Sequence, residues 1–359
     1  MSIVDNLFKL IDDGRDGLNK GIPTGLPKLD DIVGGAQRAV YTTVFGLSST
    51  GKTSFIVYAY LYRVLKDNPD KDITIIHYSL EVNAEIIYAK LLSLYVYEEF
   101  GIIIPYLELL SKTSRLSDEK FEYVNRAKSW LQSLDEKLII FDKALNAKTL
   151  YKTALPILEK KGTTTEENGR KVFTPNNPEQ IILLLIDHMS IIQPGDGRTL
   201  KQEMDLVSQY LITLRNRYFV SPVVLMQQNR EASSMDRRKA ELTEPDQNCA
   251  RDSLNIIQDS DIVLALYSPI KDKLTSYRGY KILGDEGLFD RVKGCVVLKN
   301  RYGISDKVIV MGFYGEVGKF IELPAPDEII PSQYRSLIPE KQDVPEAKLQ
   351  GKEKLKFKF

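Results

Sequence analysis

Short apolar runs alternate with longer stretches of helical periodicity along most of this 359-residue chain. The runs are continuous, which is typical of strands covered on both faces, and their alternation with helices predicts a parallel sheet with crossover helices. We predict strands at residues 40–45, 73–78, 138–141, 181–186 and 222–226. We predict helices at residues 52–64, 83–97, 118–134, 150–160 and 200–217. The expected fold class is α/β, with a mostly parallel twisted sheet flanked by helices.

Four later apolar runs predict further strands at residues 262–267, 295–298, 308–313 and 320–323. The last three lie close enough together in sequence to be joined as hairpins, so we expect antiparallel edge strands near the C-terminus. Between the runs, residues 161–180 and 268–290 are polar and rich in turn-forming residues. We predict that both stretches are surface insertions.

The two ends of the chain differ from this pattern. Apolar residues at three- and four-residue spacing predict one face of a short helix ending near Gly14, namely Ile3, Val4, Leu7, Phe8, Leu10 and Ile11. Gly and Pro residues then separate this helix from the first predicted strand, and after Leu323 the chain becomes rich in Pro and charge. We expect a helical segment over residues 1–20, a main domain over 21–325 and a disordered tail over 326–359.

Composition narrows the possible functions. The 49 Lys and Arg residues equal the 49 Asp and Glu residues, so contact with a nucleic acid would require a local patch or an assembled channel. The two Cys and two His residues lack metal-ligand spacing, which argues against a zinc site. The N-terminus lacks the basic start and apolar run of a signal peptide, and no apolar stretch is long enough to cross a bilayer. We expect a cytoplasmic protein without a membrane partner.

Residues 46–53, GLSSTGKT, match the phosphate-binding pattern G-x-x-x-x-G-K-[ST] between a predicted strand and a predicted helix. The glycines of this P-loop let the backbone wrap closely around phosphates, and the N–H groups at the helix start point at the anion. Lys52 neutralises phosphate charge during catalysis, and Thr53 can ligate magnesium. We predict that ATP and Mg²⁺ bind here, through Gly46, Ser48, Ser49, Thr50, Gly51, Lys52, Thr53 and Ser54.

Two carboxylates come directly after predicted strands and suit such a site. Asp187 ends the apolar run at 181–186, where a P-loop protein needs a carboxylate to hold the magnesium shell. Glu81 comes after the strand at 73–78, at the edge where parallel strands present their carboxyl ends to the phosphates. Glu81 is a candidate for orienting or deprotonating the attacking water, although a glutamate there also suits the start of a helix.

The order of these features resembles the motor domain of the DnaB family of replicative helicases, over about residues 21–323. The likeness rests on GIPTGLPKLD at 21–30 with the glycine pair at 34–35, the P-loop, YSLE at 78–81, the strand ending at Asp187, QQNR at 227–230, RDS at 251–253, QDSD at 258–261 and KNRYG at 299–303. The resemblance implies a RecA-like P-loop NTPase fold.

The resemblance also implies roles for single residues. Glu81 matches the family's catalytic glutamate, and Gln227 matches a glutamine that senses nucleotide. Arg301 matches the arginine finger and Lys299 its companion, both of which reach the ATP site of the adjacent subunit. A rigid guanidinium suits the charge that spreads over a transferring phosphoryl group. The residues that match the loop holding single-stranded DNA are Arg251, Asp252 and Ser253.

Together these roles imply a hexameric ring that hydrolyses ATP between subunits and translocates on single-stranded DNA as a replicative helicase. The segment before residue 21 is too short for the family's helical primase-interacting domain, and its helix resembles the linker helix that packs on a neighbouring subunit. So compact a motor suits a virus or mobile element, and the lysine-rich tail is a candidate contact for replication proteins. Two alternatives stay open: a recombinase that forms filaments on single strands, and an adaptor or loader that uses nucleotide as a switch without translocating.

Overall fold

The computed structural model describes residues 3–15, 17, 20–167, 170–195, 197–228, 244–247, 249 and 254–335. The strands are β1 (Thr42–Gly46), β2 (Ile73–Ser79), β3 (Leu138–Phe141), β4 (Gly162–Glu167), β5 (Arg170–Pro175), β6 (Ile181–Asp187), β7 (Val220–Gln227), β8 (Ile262–Tyr267), β9 (Ser276–Tyr277), β10 (Tyr280–Lys281), β11 (Val292–Asn300), β12 (Lys307–Tyr314) and β13 (Lys319–Glu322).

Across these described residues, nine strands form one sheet in the order β13-β12-β11-β8-β1-β7-β6-β2-β3. The six strands from β8 to β3 run parallel to one another. β11, β12 and β13 continue the sheet in antiparallel fashion beyond β8. The prediction of a mostly parallel sheet with antiparallel edge strands near the C-terminus is therefore confirmed.

The helices fill the connections between strands. They are α1 (Ile3–Arg15), α2 (Pro27–Val33), α3 (Lys52–Ile56), α4 (Arg63–Lys66), α5 (Ala84–Phe100), α6 (Tyr106–Leu109), α7 (Asp118–Ser133), α8 (Ala147–Glu159), α9 (Leu200–Tyr218), α10 (Leu254–Asp259) and α11 (Pro331–Tyr334). A π-helical turn, Val57–Tyr62, joins α3 to α4. Several helices begin at a polar residue whose side chain accepts a hydrogen bond from the backbone of the first turn, which satisfies an otherwise unpaired N–H group. These capping residues are Asn83, Ser117, Asn146 and Thr199.

Two hydrophobic cores cover the two faces of the sheet. Successive side chains of β6 alternate between them: Leu183 and Leu185 join the core formed with α2 to α5, whereas Leu184 and Ile186 join the core formed with α8 to α10. Because both faces are covered, the central strands are buried along their length, as their continuous apolar sequences predicted. The chemistry of these strands is therefore confined to their ends.

The structure adds strands to one of the predicted insertions and shortens the predicted tail. Within the polar insertion at 161–180, β4 and β5 pair as an antiparallel hairpin; its many Thr and charged side chains hid the strands from a search for apolar runs. Residues 326–335 were assigned to the disordered tail, yet Ile329 and Tyr334 pack against apolar residues of the domain, and the carbonyl of Tyr334 accepts a hydrogen bond from Tyr314. The tail from 336 to 359 lies outside the described residues.

The first helix, α1, exposes an apolar face. Its exposed apolar side chains are Val4, Leu7, Phe8 and Ile11, all on one side of the helix at three- and four-residue spacing. This agrees with the apolar stripe read from the sequence. Among the described helices, none is both long and apolar enough to span a membrane.

Phe320 of β13 packs between the antiparallel edge of the sheet and α3, the helix that follows the P-loop. It is fully buried, and its ring lies 4.5 Å from that of Phe313 and 5.5 Å from that of Phe55 between centroids. We expect Phe320→Ala to lower the free energy of unfolding by about 3–5 kcal/mol, because it leaves a cavity in this core. Urea denaturation measures the loss.

The control for this substitution is Phe121→Ala, which truncates the same side chain at a position that is 50% exposed. We expect that change to stay within about 0.5 kcal/mol of the parent protein. Equal losses for the two variants would contradict the assignment of Phe320 to the core.

Candidate nucleotide site and the opposite edge of the sheet

The P-loop leaves the carboxyl end of β1, which lies between β7 and β8 in the sheet. A Cβ atom added to Gly46 would come within 2.6 Å of the carbonyl oxygen of Leu266, so neighbouring strands leave no room for a side chain there. Gly51 has a φ of 94°, which favours glycine just before α3 begins. The ammonium of Lys52 donates to the carbonyls of Gly46 and Leu47, at 2.9 Å each, and so lies across the mouth of the loop.

Side chains from the two neighbouring strands contact the tip of this loop. The amide nitrogen of Gln227, at the end of β7, donates to the hydroxyl of Ser48 at 2.6 Å. Lys271, in the helical turn after β8, donates to the backbone carbonyl of Ser48. Ser49 adopts a φ of 59°, and Thr50 is buried with its hydroxyl bonded to a carbonyl of the same loop at 2.9 Å. The structure thus brings Gln227 to the predicted phosphate site and adds Lys271, which sequence reasoning missed.

The two predicted carboxylates lie together at the same edge of the sheet. Ser79 pairs with Asp187 in the parallel register of β2 and β6, and the amide of Leu80 donates to the carbonyl of Asp187 at 2.8 Å. Glu81 is the next residue in the chain and interacts electrostatically with both Asp187 and Lys52. The structure therefore brings Glu81, Asp187 and the P-loop to one site.

Burial affects two charges of this site, those of Asp187 and Lys52, whereas Glu81 is exposed. Burial raises the pKa of Asp187 to about 6, and the nearby charge of Glu81 adds to the rise, whereas the Thr53 hydroxyl and Lys52 oppose it. Neither carboxylate oxygen of Asp187 has a described partner in hydrogen-bonding geometry. Burial also lowers the pKa of Lys52 to about 8, against the pull of Asp187 and Glu81. An orphaned buried carboxylate beside a desolvated lysine suits a divalent cation and an anionic ligand.

Lys90 of α5 is a second site residue that sequence reasoning missed. Burial lowers its pKa, and the charges of Asp187 and Glu81 act in the opposite direction, so it faces the same carboxylates. Its ammonium lies 4.5 Å from the centroid of the Tyr106 ring. With Ser54 it lines a narrow cleft next to the P-loop helix. The available signal was a lysine among the mostly apolar residues of the first two turns of the helix after Glu81.

Arg301 and Lys299 lie at the other edge of the sheet. They come at the end of β11, which runs antiparallel to β8 and so finishes at the amino ends of the parallel strands. Arg301 donates to the carboxylate of Asp261 and to the carbonyl of Gln258, at 2.9 Å each. Lys299 donates to the carbonyls of Ile257 and Gln258, at 3.0 and 2.8 Å. The structure does not bring these two cations to the P-loop of their own chain.

The length of β1 gives a lower bound on the distance between Arg301 and the P-loop of its own chain. The backbone N–H of Arg301 bonds to Asp261, whose own N–H bonds to Tyr41 just before β1 begins. The P-loop starts at the far end of β1, and a five-residue strand is about 13 Å long. Arg301 is therefore at least a strand length from its own phosphate site.

The predicted DNA-contacting residues Arg251, Asp252 and Ser253 lie outside the described residues, as do Asn229 and Arg230 of the QQNR motif. The next element in the chain, directly after residue 253, is α10, whose last turn accepts the hydrogen bonds of Lys299 and Arg301.

A P-loop on the central strand of a mostly parallel sheet, with carboxylates at the end of β6 and after β2 at the same edge, defines a RecA-like P-loop NTPase fold. Residues 21–322 match the family model described as the DnaB-like helicase C terminal domain. The chain belongs to this family.

Individual relatives agree with this assignment. The chain is 26% identical over 249 residues to the replicative DNA helicase DnaB of Helicobacter pylori, covering 69% of this chain and 44% of that protein. It is 28% identical over 256 residues to the DnaB of Geobacillus stearothermophilus, covering 70% and 48%. The chain thus spans less than half the length of these curated relatives.

Solved structures support the fold. A DnaB-like replicative helicase, solved in a study of its interactions with primase, superposes with a TM-score of 0.68 at 18% identity, covering 90% of this chain and 68% of that one. A solved ATPase domain gives the same TM-score and identity, over 90% of this chain and 99% of that domain.

The buried carboxyl of Asp187 predicts a stability that depends on pH. Its pKa in the folded protein, about 6, exceeds its ordinary value of 3.8. The folded state therefore binds this proton more tightly than the unfolded chain, and stability falls as the pH rises through this window and stays lower above it. We expect Asp187→Asn to raise the free energy of unfolding of the metal-free protein by about 2–3 kcal/mol at pH 8 and by far less at pH 4.

Urea denaturation in the presence of a chelator measures this difference. Asp70→Asn, which changes an exposed aspartate, is the control and should leave stability unchanged at both pH values. A loss of stability for Asp187→Asn at pH 8 would contradict a net free-energy cost of burying this charge.

Proposed function

We propose that this chain is the motor of a ring-forming DNA helicase that hydrolyses ATP between subunits and translocates on single-stranded DNA. The observation that carries the proposal is the division of the catalytic groups between two edges of one sheet. The P-loop, Asp187 and Glu81 lie at one edge, and Arg301 lies at the other. A head-to-tail neighbour brings unlike edges together, so each site is completed by a second subunit.

Within one subunit, the described groups supply most of a hydrolytic site. Lys52 and the N–H groups at the start of α3 bind the phosphates. Thr53 and Asp187 would hold Mg²⁺, which would supply positive charge against the phosphates. The fit is supported by the buried, unpartnered oxygens of Asp187. Glu81 orients the attacking water, and Gln227 contacts the loop tip through Ser48.

The neighbour contributes the remaining cations. The side chain of Arg301 is 45% exposed although it is anchored to a carboxylate that is 2% exposed. An anchored but accessible guanidinium can stabilise the charge on a transferring phosphoryl group, and Lys299 lies beside it on the same strand end. Neither residue can serve this role in its own chain.

The exposed apolar face of α1 is a second feature that supports assembly. Burial of such a face stabilises an amphipathic helix, so we propose that α1 packs on the adjacent subunit and helps to close a hexameric ring.

We propose that Arg251, Asp252 and Ser253 contact the DNA strand inside the ring, where the six copies would form a local channel in an otherwise neutral protein.

Mixed assemblies test hydrolysis between subunits. Arg301→Ala and Glu81→Gln should each reduce ATP hydrolysis at least about 100-fold, since they remove a transition-state contact and the water-orienting group. When the two variants are combined in equal amounts before assembly, we expect recovery to about one quarter of the parent rate, because one interface in about four pairs an intact Glu81 with an intact Arg301.

Arg126→Ala removes an exposed arginine on α7 and serves as the control, with the parent rate expected. Failure of the mixture to recover would reject the shared site.

Electron micrographs with single-stranded DNA and an ATP analogue separate the remaining possibilities: closed rings support the helicase, and helical filaments support a recombinase. Absence of DNA-stimulated hydrolysis and of strand separation would favour the adaptor.

A further inference from the structure

Asp261 is a buried carboxylate at the amino end of β8. Its oxygens accept hydrogen bonds from the backbone of Tyr41 at 2.9 Å, from Arg215 at 2.6 Å and from Arg301 at 2.9 Å. Its own backbone also bonds to Tyr41 and Arg301. One side chain thus joins the ends of β1, β8 and β11 to α9.

These contacts determine how the guanidinium of Arg301 is oriented. One terminal nitrogen donates to Asp261 and the other donates to the carbonyl of Gln258, so the plane of the group is held at two points. Each terminal nitrogen keeps a second N–H group that these bonds do not use. A planar fork held in this way loses little side-chain freedom when it meets a phosphate.

The charge balance of the cluster also favours an anionic ligand. Arg215 and Arg301 share the single carboxylate of Asp261, with their side chains 14% and 45% exposed. Burial lowers the pKa of Lys299, and the nearby charge of Arg301 lowers it further. The one other carboxylate that acts on Lys299 here is Asp259, which accepts a hydrogen bond from Ser208. The cations therefore exceed the anions in this described cluster, and the more exposed guanidinium is the one available to a ligand.

We infer that Asp261 is a positioning residue for Arg301, holding its guanidinium in the orientation that meets the phosphates bound by the neighbouring subunit. The inference rests on the proposed function, because it assigns Asp261 to the half of each site that the neighbour supplies. Asp261 touches no nucleotide and acts only through Arg301. Its loss therefore has the same consequences as loss of the finger, while the P-loop of the same chain stays intact.

The test uses the full chain with Asp261→Asn. We expect kcat for ATP hydrolysis to fall about 10- to 100-fold, as for a displaced catalytic group, while KM stays within about twofold because the P-loop still binds the nucleotide. In mixed assemblies, Asp261→Asn should restore activity with Glu81→Gln and should not restore it with Arg301→Ala. Restoration with Arg301→Ala, or a parent-like kcat, would overturn the inference.

A second variant covers the case in which Asp261→Asn fails to fold. Asp261→Glu keeps the buried negative charge beside Arg215 but moves it by about one carbon–carbon bond, and it should give the same pattern of complementation. If Asp261→Glu assembles and hydrolyses ATP at the parent rate, the inference is wrong.

Glu98→Gln is the matched control. Glu98 is also a carboxylate shared by two cations, Arg63 at 2.7 Å and Lys319 at 3.2 Å, but it lies at the end of α5, away from Arg301. We expect a parent-like kcat for this variant. The mixture of Arg301→Ala with Glu81→Gln tests the proposed function without involving Asp261. If that mixture recovers activity and the Asp261 mixtures do not behave as expected, only the inference about Asp261 is wrong.

Discussion

The direction of the strands around β1 constrains where each of the proposed site residues lies. Parallel pairing aligns Gly46 with Gln227 on one side and with Leu266 on the other, and it aligns Ser79 with Asp187 in the neighbouring pair. The backbone hydrogen bonds of the sheet maintain these registers, so the loops at the carboxyl ends of these strands converge at one edge. The single reversal between β8 and β11 carries the later cations to the opposite edge.

The two edges hold their charges in different ways. At the P-loop edge, burial moves the pKa of Asp187 up and that of Lys52 down, so each group is driven towards its neutral form. Keeping these charged groups out of water costs free energy. Binding of a cation and an anion together recovers part of that free energy. The two hydrophobic cores therefore stabilise the fold, while the charged groups of the site lie at the strand ends.

At the opposite edge the cations outnumber the carboxylates, and hydrogen bonds anchor their side chains. Asp261 holds two guanidinium groups, and the last turn of α10 accepts the remaining bonds of Arg301 and Lys299. Cations at the carbonyl end of a helix are also stabilised by the helix dipole. The P-loop edge therefore carries desolvated charges, whereas the opposite edge presents ordered hydrogen-bond donors.

The sequence by itself determined the nine strands of the main sheet, the P-loop and the placement of Asp187 and Glu81 at or after strand ends. These features depend on short-range patterns: continuous apolar runs, one glycine-rich loop and a polar residue after a strand. The expectation for Arg301 depended on resemblance, since a charge after an edge strand has no local signature. Only the tertiary structure decided that Lys90 and Lys271 approach the site, that Asp261 anchors Arg301, and that the chain between 326 and 335 packs on the domain. Those contacts join residues far apart in sequence, and their free energy comes from burial and shared hydrogen bonds that no local pattern encodes.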